Sequence, residues 1–247
     1  MSVADIQTIA TRDLRTAWQR RGIRLSLVLF PTIGAVGIPL VLRFASRKSA
    51  QGIPTSVLTG HLLTAFLFFF VLGAATLPSA IAAYSFVGEK IERSLEPLLA
   101  TPTTDADILL GKAAAAWFPA VAATWVGMAV FMVIIDVQYR TKLGYLYFPN
   151  AVAWVLALLV VPLAAALSVE LNIIISARAT DVRSAQQTAA LVVLPFAALY
   201  VLTEIGAVTL DVPGLLLVAA VLVVLVVLLG YAARATFNRE EILTRWR

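Results

Sequence analysis

Six separate runs of about 20 mostly apolar residues punctuate the chain, and no other feature restricts its fold as severely. A helix needs roughly that length to cross a bilayer core of about 30 Å, where the backbone must satisfy its own hydrogen bonds. The runs cover residues 23–42, 62–84, 113–135, 151–175, 185–202 and 214–233. Of 247 residues, 61% are hydrophobic and 13% charged, and the mean hydropathy is +0.92. Soluble domains average about 45–50% apolar and about 25% charged, so a water-facing surface cannot absorb this excess. The stretches between runs are too short for a separate soluble domain. The expected architecture is one all-α integral membrane domain over residues 1–247 with six transmembrane helices.

A secretory signal is a competing reading of the first run, but that run is longer than a usual signal core and no small-residue cleavage site follows it. It is expected to be a retained helix. There is no Cys, which removes disulfides and thiolate chemistry, and His61 alone cannot build a histidine metal site. No metal site is expected.

Charge placement gives an orientation. With the N-terminus in the cytoplasm, the inner segments hold 14 of the 19 Lys and Arg residues, and the outer loops hold only Arg43, Arg47, Lys48, Arg140 and Lys142. This satisfies the positive-inside rule, and an even number of spans puts both termini inside. The net charge of +5 follows from that asymmetry. No basic stripe with interleaved aromatics follows a phosphate backbone, so no nucleic acid partner is expected.

Before the first run, Ile6, Ile9, Ala10, Leu14, Ala17 and Trp18 recur every three or four positions, opposite Gln7, Thr11, Arg12, Arg15 and Gln19. This pattern predicts an amphipathic interfacial helix over residues 1–22. Its apolar face would sink into the headgroup boundary, and Arg12, Arg15 and Trp18 would meet membrane lipid or a soluble partner. Prolines 31, 39, 78, 119, 162 and 195 lie inside five of the six runs, where each removes a backbone hydrogen bond and can kink its helix. Such kinks suit a protein that must rock between two shapes and are also common in ordinary membrane helices.

The segment between the second and third runs, residues 88–112, holds five of the 14 acidic residues. Glu89, Glu92, Arg93 and Glu96 form one charged helical face, and Ile91, Leu95, Leu98 and Leu99 an apolar one. Pro97 and Pro102 set a turn, after which Thr104 or Asp105 can cap a helix running into the third span. On spacing alone, this is equally a juxtamembrane hairpin whose charges meet water.

The string EKIERSLEPLLATP, followed by ILLGK, resembles the signature of ABC-2 type transporter permeases. Residues 177–187, with their DVRSAQQ core, and FNREE at 237–241 are similar to the same family. The resemblance implies an exporter in the cytoplasmic (plasma) membrane of a prokaryote, built from two six-helix subunits and two cytoplasmic ABC ATPase subunits. The second permease subunit would be another copy of this chain or a similar one. ATP and Mg would sit on the ATPase, with no cofactor on this chain. Segment 88–112 would then be the cytoplasmic coupling element, with Glu89, Glu92, Arg93 and Glu96 in charged contact with the ATPase and Leu95, Leu98 and Leu99 packed into its groove. One departure is that only residues 203–213 are available for the re-entrant helices that family members often place before the last span.

No phosphate-binding loop occurs, because Gly111-Lys112 lacks the upstream glycine and the following hydroxyl. ATP must therefore be handled by another polypeptide, and the chain is expected to be a transport subunit rather than an enzyme. Glu170 is the ionisable residue deepest in a span, with Asn172 two positions on, and the two form a possible intramembrane polar site. Glu170 also lies near enough to Arg178 to pair with it at the interface. Two other classes compete. An intramembrane enzyme lacks the His, Ser-base or paired-Asp groups it needs, and a channel or scaffold leaves the acidic segment without a task. The transported substrate, whether drug, lipid, lipid-linked glycan or peptide, is not encoded in apolar helices of this kind.

Overall fold

In lipid a backbone has no water to bond, so an apolar run satisfies its amides and carbonyls within one helix. The computed structural model describes residues 3–48, 62–82, 103–178, 184, 187, 188, 190–205, 207 and 211–236, and regular structure among these residues is entirely helical. Helix α1, Val3–Gln19, precedes the first crossing. Five helices are long and apolar enough to span a membrane: α2 (Arg21–Ser46), α3 (Leu63–Ala82), α4 (Asp105–Leu143), α5 (Ala151–Ser176) and, after a shorter α6 (Leu191–Thr203), α7 (Val212–Thr236). This agrees with an all-α membrane class, and five candidate spans lie among the described residues.

The remaining expected span, 185–202, is described only in part. There a 3-10 turn, Leu191–Val193, leads into an α-helix, Leu194–Glu204, with Pro195 in its first turn. Proline has no amide to donate and fits that position best. The part of α6 over Leu191–Thr203 measures about 20 Å at 1.5 Å per residue, and Ser184, Gln187, Thr188 and Ala190 before it are helical as well. Residues 185, 186 and 189 lie outside the described set.

Helix α4 is longer than the run expected there. Its 39 residues extend about 58 Å, roughly twice the thickness of a hydrocarbon core. Residues expected to form the end of a separate coupling segment are the first turns of this helix. Thr104 caps it as expected, accepting from the Asp107 amide at 3.2 Å while its hydroxyl donates to the Asp107 carboxylate at 2.6 Å. At the far end Gly144 supplies the left-handed cap, at φ 75°. Asp136 then accepts from the amides of Tyr147 and Phe148, fixing the loop to α5.

The prolines act in two ways. Pro31, Pro78 and Pro119 sit within continuous α-helix. Just before Pro39 and Pro162 the helix widens into π turns, Ile33–Gly37 and Leu156–Val160. A widened turn accommodates the ring that would strike the carbonyl four residues back.

Helix α3 is central, packed by α2, α4, α5 and α6, whereas α7 packs principally along α5. Close approach depends on small residues, as expected for membrane helices. A β-carbon at Gly127 would fall 2.6 Å from the Pro31 Cβ, and one at Gly34 would fall 2.6 Å from the Phe69 ring. Two apolar clusters result. The larger surrounds Phe68, Phe70 and Phe131. The smaller joins Ile9 and Ala17 of α1 to Leu77, Ile108, Ala116 and Ile173.

Candidate functional site

The described end of the predicted coupling segment, residues 103–112, leads into and forms the first turns of α4, and α1 lies directly against them. Gly111 makes the approach possible: a β-carbon there would sit 2.8 Å from the Ile9 Cβ and 3.2 Å from the Ile6 carbonyl oxygen. The neighbouring Lys112 is fully buried, and its ammonium donates to Asp13 of α1 at 3.1 Å. Asp13 also meets the Arg12 guanidinium at 3.3 Å. A buried ammonium is tolerated only beside a counter-charge, so this pair fixes the register of α1 on α4. The apolar face of α1 is accordingly covered in part by protein: Ile9 and Ala17 are buried, and the expected face is not left wholly to lipid headgroups. Arg12 and Arg15 are exposed on the polar face of α1, and Trp18, on the apolar face, is exposed as well. The predicted coupling residues Glu89, Glu92, Arg93, Leu95, Glu96, Leu98 and Leu99 lie outside the described residues, as do residues 237–247 of the tail.

A second polar site lies between α3 and α5. Ser168 is buried and donates to the Ala75 carbonyl of α3 at 2.6 Å. Asn172, one turn on and also buried, donates to the Ser168 carbonyl at 2.6 Å and to the Ser79 hydroxyl at 3.0 Å. The Asn172 carbonyl oxygen has no hydrogen-bond partner among the described residues. Ser79 also lines a recess of ≈ 290 Å³ beside Thr76, Ala190 and Val193, so the cluster opens towards the start of α6.

Glu170, the other residue of the possible intramembrane polar site, lies apart from this cluster. Two residues of helix turn by about 200°, so the two side chains leave α5 on opposite faces. Glu170 faces α7, where a β-carbon at Gly230 would lie 3.3 Å from its Oε1. Its Oε2 is buried without a hydrogen bond among the described residues. The partner expected for it, Arg178, has a side chain outside the described set.

Two tryptophans were not singled out by the sequence. Trp117 and Trp125, about two turns apart on α4, donate their indole N–H groups to the carbonyls of Pro162 at 2.9 Å and Ala157 at 2.8 Å. Ala157 lies inside the π turn and Pro162 just after it. A tryptophan pair at helical spacing opposite a proline-bearing span was the available signal.

Among the described residues, no group of three or more His, Cys, Asp or Glu side chains is placed to hold a metal ion. No known protein-family profile matches the chain, and no curated protein matches it. The class defined by the fold is that of an all-helical membrane protein with a polar seam between two buried spans and an ion-paired helix clamp at one end.

Proposed function

We propose that the chain is the membrane subunit of an ATP-driven exporter of the ABC-2 type, carrying no catalytic site of its own. The observation that supports this reading best is the junction of α1 with α4. The string at 88–112 that resembles the family's coupling signature ends inside a helix that continues through the membrane without a break, from Asp105 to Leu143. The Lys112–Asp13 pair binds that helix to α1. A push delivered to residues 88–102 by a soluble ATPase would therefore move α1 and the α4 span together, because a helix transmits displacement along its axis. The seam of Ser79, Ser168 and Asn172 would offer polar partners beside the recess at the start of α6. A second copy of this chain, or a similar subunit, would complete the path. ATP and Mg would be held by the ATPase, both termini would face the cytoplasm, and the substrate would be amphipathic or apolar.

The test is co-purification followed by function. The chain should isolate with an ABC ATPase, and ATP-dependent flux in reconstituted vesicles should fall at least tenfold for Glu89→Ala/Glu92→Ala with insertion unchanged. ATP-independent flux from a complex lacking any ATPase would make it a channel. Loss of insertion in that variant would make the segment structural only.

A further inference from the structure

A cleft of ≈ 470 Å³ runs between α2 and α4 on the outside of the bundle, floored by Pro31 and Gly127 and flanked by Val28, Pro119 and Val126. Trp18 of α1 also lines it. The two helices run parallel, so Leu27 lies towards the same end as Pro119, and Val36 towards the same end as Val130. At 1.5 Å per residue these stretches measure about 14 and about 16 Å, which is one leaflet of a core about 30 Å thick. Because α1 packs against the first turns of α4, Trp18 closes the end nearest the N-terminal helix.

That same end is basic. Arg24 precedes Val28 by one turn on the α2 face that lines the cleft, and Arg21 precedes Arg24 by three residues, so the lining face continues into two exposed guanidinium groups. Arg15 is exposed on α1 one turn before Trp18. Between Asp13 and Glu89 the sequence contains no acidic residue, whereas Arg15, Arg20, Arg21 and Arg24 follow one another within ten positions.

The geometry points to a binding site for one anionic phospholipid of the leaflet on the α1 side, with an acyl chain in the α2–α4 cleft and its phosphate at Arg21 and Arg24. Apolar length selects a single chain from that leaflet. The arginines select the headgroup, since a guanidinium pairs with phosphate through parallel hydrogen bonds.

Delipidated full-length protein in detergent, titrated with dioleoylphosphatidylglycerol or dioleoylphosphatidylcholine and read by native mass spectrometry, tests the site. One phosphatidylglycerol should be retained about thirtyfold more tightly than phosphatidylcholine, the effect of two basic side chains at an anionic surface. Arg21→Gln/Arg24→Gln should bring the two lipids near parity, and Arg43→Gln at the opposite end of α2 should change nothing. Ala122→Phe, at an exposed lining position, should reduce retention of both lipids. Equal retention of the two lipids by the unmodified chain overturns the proposal, as does a preference that survives the arginine substitutions. A shift of the dimer population by Ala122→Phe with lipid retention unchanged would assign the cleft to a second copy instead. Should Ala122→Phe fail to fold, the arginine pair, on the exposed surface, decides alone.

Discussion

Helices α3 and α7 are both long enough to cross a membrane, yet they lie at opposite extremes of burial. In its most apolar stretch α3 is 67% buried at a mean hydropathy of 2.0, and α7 is 17% buried at 3.2. The more apolar helix is the more exposed. In water this order would be reversed, because apolar surface is driven inward. In a bilayer, lipid tails are as apolar as Leu, and what drives a helix to the centre is close packing and polar bonding. Helix α3 has the means for both, with Gly73, Ala74 and Ala75 for close approach and Thr76 and Ser79 as polar groups. Helix α7 carries mostly Val and Leu along its middle and presents them outward.

Substitutions of like size in the two helices put this contrast at risk. Phe68→Ala empties a side chain with no exposure in the aromatic cluster and should cost about 3 kcal/mol, near the low end for soluble cores because lipid replaces water as the reference. Reversible unfolding in detergent or bicelles would measure it, and a loss below about 1 kcal/mol would mean that α3 is not the packing centre.

A smaller effect, about 1 kcal/mol, is expected from Asn172→Leu, which removes the bonds to Ser79 and Ser168. In a double-mutant cycle with Ser79→Ala, most of that loss should appear as coupling, and strict additivity would dissolve the seam. The smallest change belongs to Leu228→Ala in α7, whose side chain is 60% exposed, at no more than about 0.5 kcal/mol. A cost equal to that of Phe68→Ala would show that α7 is covered by another subunit rather than by lipid.

Much of the fold was legible because helix length and apolarity are local properties. The expected limits of α2, α3, α5 and α7 agree with the structure within a few residues, and the Thr104 cap was readable from its hydroxyl before an acidic first turn. The candidate site was less legible. Lys112 stood within the predicted segment, but its partner lies 99 residues earlier in the chain, and no spacing rule connects them. The division of Glu170 from Asn172 could have been read from a helical wheel, since it needs only the 100° step of the helix. That α1 would be partly covered by α4 could not, because an amphipathic face fits a headgroup layer and a protein groove equally well.

The sequence by itself determined where the apolar runs lie, that they must be helical, and which residues cap or kink them. Each of these follows from the chain's contest with lipid for hydrogen bonds, which is settled within a few turns. Only the tertiary structure decided which run is central, which face of α5 is polar, and that Lys112 is buried against Asp13. Hydropathy is silent on these points because the bilayer and the protein interior are equally apolar, so position is decided by shape and by hydrogen bonds between residues distant in sequence.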